Sequence, residues 1–561
     1  MDSTSMSSML MHLHKKNKKN ALSSVCILSA AILQASMPSI AVAQDLPTGG
    51  TVMLGQATIN ASNHAMNITQ STPNAVIGWG SFDIANGNSV NFQVPTGGAT
   101  LNQISGPSSK INGNLTSNGT LFLVNPNGVL FGNGANVNVG SLVTSTSTLE
   151  KNDFMNGQYT FTADGKGTIS NSGTLTAGSG GYVVLAGAGT IQNEGTITVP
   201  GGTIQLVSAD AFTLTLPTQN PFLSVTVDGT AKGKIVNNEK AGVLSGGAVT
   251  LHAQQGNVRS IGTIQATSIG DLKGSVNIAG ADLIISGKTD TDGDINISSS
   301  GFTAFANAAV SAANAVNVDA KNSLSVGNSA IKSDSGNINL SSEHTLYVFG
   351  NSSLSTNNGD IHLRGKGGGQ KFANNSLFGA VNIQDSTLSA SSNDSSKGNI
   401  LLDGQQDASN HYFKAGVQIN NSSLNANTIE ANGKGSYGVL AEGKNTFNAN
   451  DILINGDATI TYGGHGMGVS FDGNNTLTAQ NAITVTGGGD QAGIVFSGDN
   501  TFTSPHTRFE GHSHNSNSSE NTGIRFSGKL STQSNVLGTP GTTFHSNDVE
   551  VTPVNTLVNT L

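Results

Sequence analysis

The sequence contains very little cysteine, charge or aromatic side chain. Its single cysteine is Cys26, charged residues make up 11% and aromatic residues 5% of the 561 residues. A mature chain without Cys26 would have no disulfide, no thiol nucleophile and no thiolate metal ligand. Its stability must therefore come from packing and backbone hydrogen bonds.

A cluster of basic residues is also missing after the first twenty positions, and the net charge of −9 is mild for this length. Proteins that bind nucleic acids usually carry a basic patch or stripe, so we expect no nucleic-acid partner. The low charge, together with regularly recurring Val, Ile and Leu, also argues against intrinsic disorder.

The first 43 residues have the pattern of an export signal. Lysines at 15–19 precede an apolar run at 21–35, and a small-residue triplet ends at Ala43. The apolar run is too short to span a membrane comfortably. We expect a signal peptide over residues 1–43 with cleavage between Ala43 and Gln44. A retained anchor helix is the alternative.

Glycine is abundant, with 72 residues, and Ser, Thr and Asn are common. From Gln44 onward the recurring unit is a short strand with alternating apolar positions, ended by Gly, Asn or Asp, as in DGDINISSS and SGNINLSSE. Glycine and asparagine tolerate the positive φ that sharp corners require. No helix pattern stands out.

The C-terminal part contains a clearer repeat. The segments GVLAEGKNTF, GVSFDGNNTL, GIVFSGDNTF and GIRFSGKLST begin at Gly438, Gly468, Gly493 and Gly523. So short a unit cannot bury its own apolar face, but stacked coils can, because each strand pairs with its copy about 4.8 Å away. The repeat predicts an all-β parallel β-solenoid with asparagine side-chain ladders at its corners. A β-propeller or tandem sandwiches are the alternative.

The N-terminal part carries a long and specific pattern. It includes IGWGSFDIANGNSVNFQVP from Ile77, KINGNLTSNGTLFLVNPNGVLFGNGANVNVGSLVTST from Lys110, and GTLTAGSGGYVVLAGAGTIQNEGTITVPGGTIQLVSADAF from Gly173. This region resembles the secretion domain, or haemagglutination activity domain, of filamentous haemagglutinin and related exoproteins of the two-partner secretion pathway. The resemblance is clear over about residues 44–215, with weaker similarity to about 270.

The resemblance implies a right-handed parallel β-helix with N-terminal secretion-domain coils and loop insertions. It divides the chain into a signal peptide (1–43), a two-partner secretion β-helix domain (44–270) and a β-helix repeat rod (271–561). It also implies export through the periplasm and a dedicated outer-membrane β-barrel transporter, with a secreted or cell-surface destination. Because the last coil shows no polar cap, we expect a truncated chain, a covering partner or a poorly ordered end.

The tetrapeptide Asn125-Pro126-Asn127-Gly128 lies at the centre of the resembling block. Its residues suit a type I turn, with Pro at the second and Gly at the fourth position. The turn either only shapes a corner or serves as a secretion motif that the transporter reads, and we expect a mixed role. Lys110 is the only charge within residues 101–149. A transporter would therefore use backbone pairing and apolar contacts.

Two groups of residues could bind a metal. Asp290, Asp292 and Asp294 place three carboxylates within five residues, but an EF-hand loop would need Gly and Glu further along. His512 and His514 form a pair in a polar segment, and two imidazoles alone bind a metal weakly. We favour a solvated turn at the aspartates and a polar loop inserted between coils at the histidines, and we expect neither a metal site nor a cofactor.

The sequence best fits an adhesin, a virulence-type exoprotein whose polar faces contact host or bacterial surface glycans or proteins. Related exoproteins share the secretion domain with pore-forming and contact-dependent growth-inhibition toxins, so the N-terminal part of a toxin is the alternative. A β-helix polysaccharide-degrading enzyme is less favoured, because it needs converging acidic groups. The acids here are scattered, so we expect no enzymatic activity.

Overall fold

A computed structural model gives the fold of the chain from residue 45 onward. The expected signal peptide and its cleavage site, Ala43 and Gln44, lie outside the described residues. The described residues are 45–162, 165–217, 222–268, 270–367, 379–406, 415–458, 466–514, 522–527, 529–533, 542–546, 549–551 and 557–560.

The described strands form coils, and each coil contributes one strand to each of three parallel sheets. In one coil, Ser109–Ile111 lies in the first sheet, Asn114–Ser117 in the second and Thr120–Val124 in the third. Each of the three pairs in parallel with its counterpart in the next coil, as Ser109 does with Val129. This arrangement confirms the predicted parallel β-helix.

The first sheet has short strands. It comprises Ser109–Ile111, Val129–Phe131, Ile169–Asn171, Ile191–Asn193, Ile235–Asn238, Asn257–Ser260, Leu283–Ile285, Thr303–Ala306, Leu324–Gly327, Leu346–Phe349, Val381–Gln384, Ala415–Asn420, Tyr437–Gly443, Met467–Gly473, Ala492–Ser497, Thr522–Phe526 and Val549–Val551.

The second sheet begins with an antiparallel pair and continues in parallel. It comprises Ala57–Ala61, Ala65–Gln70, Ser89–Gln93, Asn114–Ser117, Asn136–Val139, Thr174–Ala177, Thr196–Thr198, Val243–Gly246, Thr263–Ala266, Lys288–Thr291, Ala309–Ala312, Ala330–Ser333, Ser353–Thr356, Thr387–Ala390, Ser423–Asn425, Asp499–Thr503, Lys529–Gln533 and Leu557–Thr560.

The third sheet also begins with an antiparallel pair. It comprises Thr51–Leu54, Asn74–Trp79, Ala99–Ile104, Thr120–Val124, Ser141–Ser145, Tyr182–Gly187, Thr203–Ser208, Ala248–Ala253, Ser275–Gly280, Asp294–Ser299, Val316–Ala320, Ile338–Ser342, Ile361–Gly367, Ile400–Gln406, Thr428–Lys434, His506–Ser513 and Thr542–Ser546. Two long strands, Thr446–Ala458 and Thr476–Gly489, turn the corner and belong to both the second and the third sheet.

Alternation along each strand forms the core. In Ile338–Ser342 the first, third and fifth side chains are buried and the two between them are half-buried, which is the period of two expected for a strand with one covered face. Aliphatic side chains stack in register on the inner side of the second sheet, namely Leu115, Val137, Leu175, Ile197, Leu244 and Ile264, all with 0% exposure.

Asparagine side chains form the predicted ladders inside the corners. Asn171 donates through Nδ2 to Oδ1 of Asn193 at 2.9 Å, and Asn193 donates to Asn238 at 3.0 Å. Each of these amides is fully buried. Hydrogen bonding from coil to coil satisfies these buried polar groups, which would otherwise destabilise the fold.

The glycines of the C-terminal repeat lie where the first and third sheets meet. A Cβ on Gly456 would lie 1.9 Å from the carbonyl oxygen of Gly468, and one on Gly433 would lie 1.8 Å from that of Gly438. Real side chains do not approach backbone this closely. The repeated glycines are therefore required by the close approach of two backbones.

A second layer covers the outer side of the third sheet in the N-terminal half, and the sequence did not predict it. It consists of an antiparallel sheet and the short helix α1, Lys151–Met155. The strands of this fourth sheet are Thr148–Leu149, Thr160–Thr162, Phe212–Thr215 and Ser224–Val227. It forms a second core in which the rings of Phe161 and Phe212 stack 4.6 Å apart.

Candidate functional site

The tetrapeptide Asn125–Gly128 forms a hydrogen-bonded turn. It joins Thr120–Val124 of the third sheet to Val129–Phe131 of the first sheet. The N–H of Gly128 donates to the carbonyl oxygen of Asn125 at 2.9 Å. The N–H of Asn127 donates to Oδ1 of Asn125 at 3.0 Å. Both bonds are those of a four-residue turn closed by an asparagine side chain.

Asn125 is fully buried, with 0% exposure. Its Nδ2 donates to the carbonyl oxygen of Pro107 at 2.8 Å and to Oγ of Ser109 at 3.0 Å. Its backbone N–H donates to Ser145 in the following coil at 2.9 Å. Asn125 therefore ties its own corner to the corners one turn before and one turn after it, and a partner protein cannot contact its side chain in the folded domain.

Gly128 meets a strict backbone requirement. Its φ is +109°, and a Cβ would lie 2.6 Å from the carbonyl oxygen of Thr168. Its carbonyl oxygen accepts the N–H of Ser109 at 3.0 Å. Any side chain here would be strained and would push the next coil away.

Asn127 is the exposed member of the turn, and Pro126 is half-buried. The Nδ2 of Asn127 donates to the carbonyl oxygen of Gly106 at 2.8 Å. Leu130, just after the turn, points outward with 37% exposure, and Lys110 lies beside it on the preceding strand. The accessible surface here is thus mostly uncharged, as the sequence predicted.

The second core supports the same coil from the outer side. The ring of Phe122, on the strand that leads into the turn, lies 5.2 Å from Phe154 of helix α1 and stacks on Tyr159 at 5.4 Å. Burial raises the pKa of Tyr182 to about 12, so its hydroxyl stays neutral. The strand that leads into the turn is therefore covered by the main core on one face and by the second core on the other.

The three carboxylates of the Asp290–Asp294 segment do not converge. Asp290 faces Lys288 at 3.9 Å, and Asp294 accepts the N–H of Ala315 at 2.9 Å. Asp292 accepts hydrogen bonds from Ser268 and from the N–H of Gly274. Burial raises the pKa of Asp292, but these hydrogen bonds outweigh it, and the pKa lies below its ordinary value. Asp292 and Asp294 thus hold different corners, whereas Asp290 lies within a strand.

Calcium is therefore expected to leave the stability of the chain unchanged. The melting temperature should be the same with millimolar calcium and with a chelator, because the oxygens of Asp292 already accept protein N–H and O–H groups. Differential scanning calorimetry in the two buffers is the measurement. A calcium-dependent rise of several degrees would contradict this expectation.

His512 and His514 lie at the end of a strand of the third sheet. His514 lies between two carboxylates, with Nε2 3.9 Å from Asp457 and Nδ1 3.9 Å from Asp490. Within the described part of the chain, no three His, Cys, Asp or Glu side chains are grouped so as to hold a metal ion. The same described residues contain no helix long and apolar enough to cross a membrane.

Three comparisons relate this chain to known proteins. The family model of the TPS secretion domain matches residues 43–297. Two curated proteins of Haemophilus influenzae, each described as a heme/hemopexin-binding protein, are 32% and 31% identical over 275 and 283 residues. These matches cover 46% and 45% of this chain and 30% of each relative.

A solved structure, the HMW1 secretion domain from Haemophilus influenzae, is also similar, at 17% identity and a TM-score of 0.39. The match covers 91% of this chain and 100% of that one. The chain spans less than a third of the length of the curated relatives it matches. Over residues 43–297 the chain therefore matches the secretion domain of the two-partner secretion pathway.

Proposed function

We propose that the chain leaves the cell through a dedicated outer-membrane β-barrel transporter and then acts in adhesion at the cell surface or in the medium. The secretion domain supports the first part of this proposal. The coils that follow it support the second part, because they extend the β-helix far beyond what recognition by a transporter would need.

The observation that best supports adhesion is that the outer face of the third sheet after residue 248 is polar and is not covered by the described strands of the fourth sheet. The described strands of the fourth sheet cover this face only beside earlier coils. Beyond them, polar side chains follow one another from coil to coil at the strand spacing of about 4.8 Å. One row reads Thr250, Asn277, Asn296, Asn317, Asn339 and His362.

The topology also suits passage through a narrow pore. Each described strand of the three sheets pairs only with strands in adjacent coils, so a coil can fold once its predecessor has folded. Within these three sheets, no contact between distant parts of the chain has to form in transit. We propose that export of the unfolded chain and folding outside the cell are coupled in this way.

We propose no catalytic activity. Asp319, on the outer face of the third sheet, pairs with Lys321 at 2.6 Å, and Glu343, just after a strand of this sheet, pairs with Lys366 at 2.9 Å. Glycoside hydrolysis instead needs two carboxyl groups that flank one bond. Binding of haem or hemopexin is the second candidate function, favoured by the shared description of the two curated relatives.

Deletion of the transporter gene is expected to abolish export. The chain should disappear from the medium and the cell surface on immunoblots, and restoring the gene should return it, while a periplasmic protein serves as the lysis control. Purified exported chain should then bind to surfaces that the cells colonise. Undiminished export without any such transporter would contradict the proposal. Binding to hemopexin, but not to those surfaces, would favour the second candidate.

A further inference from the structure

A groove of about 470 Å³ runs across the outer face of the third sheet in the later coils. This volume falls within the range of roughly 300–1,000 Å³ typical of sites for small ligands. The groove crosses five neighbouring strands, and all of its lining residues belong to the described part of the chain. The outward side chains are Asp403, Gln405, Asn432, Lys434, Asn455, Asp457, Thr486, His512 and His514.

The lining is arranged in two parallel rows. Asp403, Asn432, Asn455 and Thr486 lie opposite one another on successive strands. The second row is Gln405, Lys434, Asp457, Gly488 and His512. Since parallel strands are about 4.8 Å apart, the groove presents a polar group at a regular interval along the axis of the β-helix.

Gly488 and His514 give the groove its floor and one end. Gly488 presents no side chain, and a Cβ built there would lie 2.6 Å from Nε2 of His514. The imidazole of His514 therefore extends over Gly488, with Asp457 and Asp490 on its two sides. The imidazole thus occupies the space that a side chain at Gly488 would need.

The amide groups in the groove are fixed in direction. Nδ2 of Asn455 donates to Oδ1 of Asn432 at 2.9 Å, and Nδ2 of Asn432 donates to Glu430 at 2.8 Å. A side-chain amide has two N–H donors, so each of these amides keeps a second donor for a ligand. Hydroxyl groups, which both donate and accept, match such a mixed row of amides, carboxylates and a threonine.

The charges and the polarity of the lining further restrict the class of ligand that the groove can bind. Lys434 lies 4.0 Å from Asp457, so the charges of the groove largely compensate each other and offer little attraction to a polyanion. Among the described lining residues there is no Phe, Tyr, Trp or aliphatic side chain, which argues against an apolar ligand. Resting on the proposed adhesive function, we propose that this groove binds a neutral oligosaccharide lying along the β-helix axis.

The test uses the full exported chain on an array of neutral and acidic oligosaccharides. Wild-type chain is expected to bind neutral oligosaccharides, and Asn455→Leu should weaken that binding about tenfold, as loss of a buried polar contact predicts. Asn448→Leu is the matched control. Asn448 lies on the same long strand and donates to Asn425 at 3.0 Å in an equivalent ladder, but it lies on the second sheet, away from the groove.

Retained binding by Asn448→Leu together with weakened binding by Asn455→Leu supports the groove. Binding only to acidic oligosaccharides, binding to none, or equal loss in both variants would overturn the inference. Export and surface attachment are measured on the same preparations. If the wild-type chain attaches to surfaces but does not bind neutral oligosaccharides, only the proposed ligand of the groove is wrong. If the wild-type chain does not attach to surfaces at all, the proposed adhesive function is wrong.

Discussion

Replacing Asn125 by alanine will destabilise the secretion domain by about 3 kcal/mol and strongly reduce export. The substitution removes three side-chain hydrogen bonds, to Pro107, Ser109 and the N–H of Asn127. Each is worth roughly 1 kcal/mol when its loss leaves a buried group unsatisfied. A loss of this size shifts the folded-to-unfolded ratio by about a hundredfold.

Asn127→Ala is the matched control for this prediction. Asn127 has the same side chain two positions along, but it is exposed and its side chain makes one hydrogen bond, to Gly106. Its replacement should cost less than about 1 kcal/mol. Urea denaturation of the purified domain gives both free energies. Equal stability of the two variants would show that burial of Asn125 does not matter.

Replacing Gly456 by valine will unfold the later coils while the secretion domain stays folded. A Cβ at Gly456 would lie 1.9 Å from the carbonyl oxygen of Gly468 and 2.7 Å from a methyl group of Val469. Two sheets would have to separate, and overpacking of this kind costs about 3 kcal/mol. Because coils interact mainly with their neighbours, the damage should stay local.

Limited proteolysis with mass mapping is the measurement for this variant. Cleavage should concentrate around residues 415–514, while fragments of residues 45–217 persist. Asn455→Val is the control, since Asn455 is the adjacent residue of the same strand and points outward. If both variants were equally resistant to protease, the close approach of the two backbones would not be essential.

The repeats and the turn could be predicted from sequence because they depend on nearby residues. The alternation of apolar and polar residues predicted the strands, and Asn-Pro-Asn-Gly predicted the turn. The recurring asparagines predicted side-chain ladders, such as the one that joins Asn171 and Asn193. The reason for the repeated glycines was incomplete. Positive φ was expected, whereas Gly456 and Gly433 are needed because another backbone lies where a side chain would be.

The second layer could not be predicted, because it brings together short pieces that are distant in sequence. Helix α1 has five residues, and Thr160–Thr162 pairs with Phe212–Thr215 across some fifty residues. Neither segment is long enough to show a helical or strand periodicity in its sequence. The available signal in the sequence was the run YVVLAG at Tyr182–Gly187, which is buried at every position. A strand that is covered on both faces loses the alternation of apolar and polar residues.

The burial of Asn125 was likewise not visible in the motif. Its partners, Pro107 and Ser109, lie at the corner one turn of the β-helix earlier, and their position depends on the length of the coil between the two corners. The hydrogen bonds to these partners bear on whether the tetrapeptide only shapes a corner or is read by the transporter. We expect Asn125 to act on export through the fold of its coil, whereas Asn127 and Leu130 are nearby exposed side chains that a transporter could contact.

The most direct test compares export of Asn125→Ala with export of Leu175→Ala. Leu175 is fully buried in the second sheet of the same domain, and truncation of such a leucine costs about 3 kcal/mol. The amount of chain in the medium is measured for both and set against the stability of each domain. If Asn125 acts through the fold, both variants fall on one curve of export against stability. Export of Asn125→Ala far below that of an equally unstable Leu175→Ala would contradict this account and show that the transporter reads the motif itself.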